Sequence, residues 1–459
     1  MTANPTRGEP EEERTVSGVV ELLLGNTGDT LESGNVYTKQ QRIAELAGQM
    51  PDVSFTSLAY HIDLEWLHEA YRVTRKDGAA GVDGVTAEEY ERDLEGNLQS
   101  LLERFKSGRY FAPPVRRAYI PKGDGKTRPI GIPALEDKIL QRAVVMVLSP
   151  LYEQDFMECS YGFRPERSVY QALEALWSKV MEMGGVWLLE VDIRSFFDTV
   201  GHKHLREILS KRVRDGVLLR MIGKWLKAGV MEDGSIHYPK EGTQQGGVIS
   251  PLLSNVYLHD VLDSWFESVV KPRLGGRAEL IRFADDYVVL FERERDAHRV
   301  LSVLPKRFGK YGLTLHEEKT QLVDFRRPYG DRKSETFDFL GFTHYWGKSR
   351  KGHRVVKRTT ARKKLKLAVR KIYRWCKGHR HDPVKEQWQA LCRKLHGHYG
   401  FYGITFNLRG LKRFYEQVKR AWRKWLNRRN RDNEMQWDRF ERLLERYPLP
   451  KPRIVHKFA

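Results

Sequence analysis

The sequence is poor in cysteine: three in 459 residues, Cys159, Cys376 and Cys392. These are too few and too scattered for a disulfide framework or a four-cysteine zinc module. Two of them precede histidines, in "CKGHRH" (376–381) and "CRKLHGH" (392–398), a loose match to zinc-ligand spacing. His-x-His on a helix sends its imidazoles to different sides, so histidines in a basic, RNA-facing region are the better reading. No apolar run is long enough to span a bilayer, and the start "MTANPTRGEPEEERT" lacks secretory character. This predicts a cytoplasmic protein with no membrane partner. Acidic residues are missing from one region: none occurs from Gly341 to Arg380. Residues 341–459 carry 34 Lys+Arg against 8 Asp+Glu, whereas residues 1–340 carry 46 against 52. A basic C-terminal quarter on a near-neutral body predicts a polyanion held by one end of the molecule.

What is present is globular: 40% hydrophobic, 11% aromatic and 31% charged residues, enough chain for several buried cores. Residues 1–54 read as a polar leader. Helical periodicity begins at "FTSLAYHIDLEWLHEAYRV", followed by a Gly-rich loop at Asp77–Gly84 and a further helix ending near Gly108. "RRAYIPKGDGKTRPIGIP" (116–133) has the pattern of a β-hairpin. "LEDKILQRAVVMVLSPLYEQDF" reads as a helix, and "VWLLEVDIRSFFDTV" (186–200) as a buried strand running into a turn. "KEGTQQGGVISPLLSNVYL" reads as a loop rich in Gly and Gln, with Pro251 near the start of an apolar helix. From Arg354 onward the pattern is basic amphipathic helix interleaved with aromatics. Most of those rings are expected to build a helical core.

The acids in "ELIRFADDYVVLFE" (279–292) stand out, because Asp285 and Asp286 interrupt a run with buried β-strand character. The expected arrangement is two strands joined at Asp285–Asp286 by a tight turn that releases both carboxylates from strand alternation. A solvated turn would more often read Asp-Gly or Asn-Gly. Asp192 follows a second apolar strand, with Asp198 six residues on. Strand-borne acids from separate parts of a chain can share divalent cations that neutralise their repulsion, a donor set suited to phosphoryl or nucleotidyl transfer. Lys122, Lys126 and Arg128 surround the hairpin tip, placed to reach a triphosphate. Small residues around Gln245 allow close backbone approach to a ligand, and Lys319 could protonate a leaving pyrophosphate.

The motifs "IPKGDGKTRPIGIP", "VDIRSFFD", "GTQQGGVISPLLSNVYL", "FADD", "LHEEKT" and "FLGF" follow one another in that order. In this the sequence resembles reverse transcriptases, and among them the group II intron-encoded proteins that add a maturase domain. The resemblance covers about Phe55 to Phe440. It implies an α+β, right-handed polymerase: fingers over 55–185, a palm with antiparallel sheet over 186–345, a helical thumb or maturase domain over 346–430, and a short DNA-binding-like tail over 431–459. It further implies two Mg²⁺ ions held by Asp192, Asp285 and the Ile193 backbone carbonyl, with Asp286 completing the acidic cluster. Lys122 and Arg128 would contact the incoming dNTP, Phe197 would exclude a ribose 2′-OH, and Gln245 would line the nucleotide pocket. "FLGF" would grip the primer strand. The basic residues carried over as nucleic-acid contacts are Lys357, Arg358, Arg362, Lys363, Arg370, Arg374, Lys412, Arg413, Arg420 and Arg423. Phe283 replaces the commoner tyrosine of the family motif, keeping the ring and losing the hydroxyl.

The function so implied is an RNA-directed DNA polymerase that binds its group II intron RNA, assists splicing and copies the intron during retrohoming. Its partners would be that RNA, a DNA target and primer, and dNTPs. The tail offers no endonuclease pattern, so the primer would be borrowed, as from a replication fork. Two alternatives differ in class or setting: an RNA-binding maturase with vestigial polymerase, and a domesticated defence-associated reverse transcriptase. The intact set of Asp192, Asp285 and Asp286 argues against the first.

Overall fold

The computed structural model describes residues 35–121, 127–232, 234–238, 241–243, 246–330, 333–429 and 435–457. Most of the expected leader (1–34), the hairpin tip with Lys122 and Lys126, and Gln245 lie outside the described residues. In chain order the strands are β1 (Val115–Pro121), β2 (Thr127–Ile132), β3 (Gly185–Val191), β4 (Val230–Glu232) and β5 (Ser235–His237). Then come β6 (Ala278–Phe283), β7 (Asp286–Phe291), β8 (Gln321–Arg326), β9 (Phe337–Phe339), β10 (Phe342–Lys348) and β11 (Arg354–Thr360). With the helices around them they make an α+β fold.

The chain forms two compact units, each assembled from separated stretches. One holds Met1–Arg167, Asp192–Arg273 and Ser302–His316, the other Ser168–Val191, Leu274–Leu301 and Glu317–Ala459.

The first unit is organised on the helix Leu135–Asp155, whose Ile139, Leu140, Ala143, Val144, Val147 and Leu151 are fully buried. Their spacing gathers them on one broad apolar face of the helix. Helices Val36–Gln49 and Leu64–Val73 pack on it. Each starts on a side-chain cap, Asn35 accepting from the Thr38 N–H and Asp63 from the Trp66 N–H. One acid sits inside this apolar helix. The Asp137 Oδ1 accepts from the Tyr110 hydroxyl and from Trp225 Nε1, both at 2.9 Å. Burial pushes its carboxyl up to about 7 against the pull of those two donors. The sheet of this unit runs β2-β1-β4-β5. β1 and β2 form the expected hairpin, in register from Arg116↔Ile132 to Pro121↔Thr127.

The second unit holds an antiparallel sheet in the order β6-β7-β3-β8. Tyr287 through Phe291 of β7 are all buried, so this central strand is covered on both faces. Helix Val169–Glu182 packs against β6 and β3. A second sheet runs β11-β10-β9. Its β9–β10 turn is Leu340–Gly341, with φ of 50° and 87°, the two positive values a type I′ hairpin requires. Helices Arg362–Gly378, Val384–Tyr402, Leu408–Asn427 and Trp437–Arg446 share one core around Tyr399, Phe414, Trp422 and Trp425. The aromatics of the basic region thus mainly build core, as expected. The expectation of helix from Arg354 is corrected: Arg354–Thr360 pairs residue for residue with β10 as β11, and the basic helices begin at Arg362. Alternating Val356, Arg358 and Thr360 face inward on that strand, a period of two that the charge run masks. Among the described residues no helix is long and apolar enough to cross a membrane.

Candidate active site

The sheet register of the second unit brings several sequence candidates to one end. β6 and β7 are joined by the two residues Ala284 and Asp285, and Phe283 pairs with Asp286. The expected turn at Asp285–Asp286 is therefore one residue early: Asp286 is the first residue of β7. Ala284 takes the strain of this turn at φ 57°, a position that glycine or asparagine usually fills. Asp285 is half-buried and Asp286 exposed, ahead of five buried residues. Next in the sheet, β3 ends at Val191, paired with Tyr287. On the other flank, β8 starts at Gln321, paired with Glu190, and the exposed Lys319 lies two residues before it. The hairpin acids, the exit of β3 and the entry of β8 thus share one end of the sheet.

Sequence reasoning missed a residue in the same hairpin. Arg282 is 0% exposed, and its Nη1 donates to the Ala284 carbonyl at 3.0 Å. A buried guanidinium is costly unless its charge is answered, so its place inside the turn that carries two aspartates is informative. The only signal was an arginine at an inward position of an apolar strand, three residues before Asp285.

Asp192 follows Val191 directly and begins a stretch of the first unit. Its carbonyl accepts from the His316 N–H at 2.8 Å, while the Arg194 N–H donates to the Thr314 carbonyl at 2.8 Å. Ile193 forms a bridge with Leu315 between those two bonds. In such a non-hydrogen-bonded antiparallel pair, Ile193 directs its own N–H and C=O away from the 314–316 segment. Ser195, at φ 47°, then turns the chain into the short helix Phe196–Thr199. Phe196 is buried and Phe197 half-buried, their rings edge to face at 5.5 Å.

The Gly-rich loop braces this segment. The Thr243 N–H donates to the Phe197 carbonyl at 2.6 Å, and the Gly242 N–H to the Val200 carbonyl at 2.9 Å. A Cβ on Gly242, at φ 96°, would stand 2.9 Å from Asp198 Cα and from the Phe197 carbonyl oxygen. Gly246, at φ 109°, lies so close to β2 that a Cβ would come within 2.5 Å of the Gly131 oxygen. Both glycines are needed for backbone on backbone, not for a turn alone. Arg128 is exposed on β2, opposite Ile120.

Residues 120–344 match the family model described as reverse transcriptase (RNA-dependent DNA polymerase). Protein YkfC of Escherichia coli K12 is 40% identical over 252 residues, covering 53% of this chain and 65% of that protein. The group II intron-encoded protein LtrA of Lactococcus lactis is 33% identical over 286 residues, covering 61% of this chain and 47% of LtrA. The nuclear intron maturase 2, mitochondrial, of Arabidopsis thaliana is 26% identical over 176 residues, covering 30% of this chain and 24% of that protein. Residues 120–344 are thus similar to a reverse transcriptase domain, and the relatives include a group II intron-encoded protein and an intron maturase. The chain spans less than two thirds of the length of each of these relatives.

Most of the basic residues expected to contact nucleic acid are accessible. Arg362, Lys363, Arg370 and Arg374 are exposed on helix Arg362–Gly378, and Lys412, Arg413 and Arg420 on helix Leu408–Asn427. Three differ. Arg358 is 0% exposed and donates through Nη1 to the Leu173 carbonyl at 3.3 Å, and burial lowers its guanidinium to about 10. It is an interior residue of the second unit, which corrects its assignment as a surface contact: it occupies an inward position of β11. Arg423 is half-buried, donating to the Met435 carbonyl at 2.8 Å with its guanidinium 4.3 Å from the Trp437 ring centroid. Lys357 is half-buried, its ammonium 5.6 Å from the Phe406 ring centroid.

The family implies divalent metal. Carboxylate oxygens on adjacent residues of a tight turn are hard donors of the kind Mg²⁺ takes, and Asp286 is open to solvent. Among the described residues no three His, Cys, Asp or Glu side chains gather as a closed metal cage. The donor set fits an open carboxylate site that is completed by backbone, substrate and water rather than a dedicated protein cage.

Proposed function

We propose that this protein is an RNA-directed DNA polymerase that binds its group II intron RNA, assists splicing as a maturase, and reverse transcribes the intron during retrohoming. The observation that carries the reading is the two-residue hairpin that sets Asp285 and Asp286 at the sheet end where β3 runs out to Asp192. An RNA chaperone alone has no use for carboxylates there, because they repel the phosphates it binds. Fingers over 55–185, palm over 186–345 and thumb over 346–430 follow from this reading.

Asp192, Asp285 and the Ile193 carbonyl would hold two Mg²⁺ ions, which supply Lewis acidity to a primer 3′-oxygen and to the triphosphate. The chain's own residues do the rest. Lys122 and Arg128 bind the triphosphate oxygens, and Gln245 lines the nucleotide pocket. The Phe197 ring, held through its backbone by Thr243, meets the sugar with an apolar edge that offers a ribose 2′-OH no hydrogen bond. Lys319 donates a proton to the departing pyrophosphate. Exposed cations on the two basic helices neutralise RNA phosphates, giving affinity that falls steeply with salt.

Extension of a DNA primer on an RNA template tests the proposal, with Asp285→Ala/Asp286→Ala as the control. The expected result is dNTP-dependent synthesis by the wild type and loss of at least a thousandfold in the variant. Equal synthesis by both would overturn it, and RNA binding without synthesis by either would favour the vestigial-polymerase alternative.

A further inference from the structure

The first unit carries a groove that none of these roles uses. It runs beside helix Gly216–Lys227, with about 570 Å³ against residues 109–114 and an adjoining 300 Å³ against helix His202–Leu209. Its floor is apolar: Leu219, Ile222 and Leu226, extended by Phe111 and Tyr238, which are 76% and 68% exposed. Its rim is cationic: Arg109, Arg206, Arg220 and Lys227 are all exposed. None of these four forms a salt bridge among the described residues, and no acidic side chain lines either part of the groove. An aliphatic floor under an all-basic rim favours a ligand with branched side chains on one part and carboxylates on another. Nucleic acid would satisfy the rim but gain little from an aliphatic floor of Leu219, Ile222 and Leu226.

The chain itself contains a segment of that chemistry. Residues 9–24 read "EPEEERTVSGVVELLL", with Glu9, Glu11, Glu12 and Glu13 ahead of Val19, Val20, Leu22, Leu23 and Leu24. The segment holds five acids against one arginine, in a chain whose net charge is +20. Ten residues separate Leu24 from Asn35, which caps helix Val36–Gln49, and an extended ten-residue stretch reaches about 35 Å. That helix is fixed near the groove: Gln40 donates to the Met146 carbonyl, about 14 Å along its helix from Asp137. Asp137 in turn bonds Tyr110, which lines the groove, and Trp225 of the helix beside it.

We propose that the basic-rimmed groove of helix Gly216–Lys227 is a docking site for residues 9–24 of the same chain. The valine and leucine side chains take the floor, and the glutamates face the four rim cations. A surface so occupied is withheld from RNA and from other acidic partners, which keeps non-specific binding away from this side of a strongly basic protein.

The test uses the full chain with the photo-cross-linker p-benzoylphenylalanine in place of Leu23, and mass spectrometry to map the attachment points. Cross-links within the same chain to residues 109–114 or 219–229 are expected. Their yield should fall at least fivefold in Arg220→Glu/Lys227→Glu and recover when Glu11, Glu12 and Glu13 are changed to lysine in that background. A thermal melt of each variant separates lost docking from lost fold. Cross-links scattered elsewhere, links only between chains in an isotope-mixed sample, or a yield unmoved by charge reversal would each overturn the proposal. So would cross-linking of the groove to added RNA at the expense of the segment.

Discussion

Asp137 offers a quantitative check on the core of the first unit. Its carboxyl titrates at 3.8 when unperturbed and at about 7 when buried in the helix Leu135–Asp155. The folded protein therefore holds this proton more tightly than the unfolded chain. Its contribution to stability is fully present below about pH 4 and is lost as pH rises through 7. A shift of roughly three units corresponds to about 4 kcal/mol at most. Replacing the acid by asparagine keeps an oxygen for Tyr110 and Trp225 and removes the charge. Asp137→Asn should therefore flatten the pH dependence and leave the variant more stable than the wild type at pH 8. Hydrogen exchange of peptides from 135–155 and 216–227, corrected for intrinsic rates, reads this locally. Each 1.4 kcal/mol appears as a tenfold change in protection, so the wild type should lose up to about a hundredfold relative to the variant between pH 5 and pH 8. Parallel pH slopes for the two proteins would refute the reasoning and mean that Asp137 stays ionised throughout.

Other outcomes follow from particular contacts. Gly242→Ala must move the backbone of Phe197–Asp198 or abandon φ 96°, so a loss of about 2–4 kcal/mol is expected in denaturant titration. Arg282→Met removes the donor to the Ala284 carbonyl and should lower primer-extension turnover without changing RNA affinity, with Arg282→Lys recovering part of it. If Arg282 only fills space, methionine will match the wild type in both assays. Lys412→Glu/Arg413→Glu should weaken RNA binding and reduce its salt dependence, measured by filter binding across a salt series. An unchanged slope would remove these two residues from the interface.

The β1–β2 hairpin, β3, β6, β7 and the sheet end carrying the aspartates were legible in the sequence, because apolar runs with abrupt acids have few structural explanations. The exact turn was not. Two-residue hairpins normally announce themselves with glycine or asparagine, and here Ala284 carries the positive φ instead. Arg358 was misread because a basic run hides a strand's alternation, and charge counting cannot tell an inward guanidinium from an outward one. Asp137 and Arg282 escaped notice for a related reason: a single charged residue in an apolar element reads as solvent-facing until its partners are known. The roles of Gly242 and Gly246 depend on backbone approaching from distant segments, Phe197–Asp198 and Gly131, which no local pattern records.

The central claim is that carboxylates from two chain segments, Asp192 after β3 and Asp285–Asp286 at the β6–β7 turn, serve one polymerase centre. Single-turnover primer extension by Asp192→Asn tests it most directly, with folding checked by thermal melt and RNA affinity checked in parallel. The account predicts a loss as deep as that of Asp285→Ala/Asp286→Ala, with both controls unchanged. Extension at the wild-type rate by Asp192→Asn would contradict it.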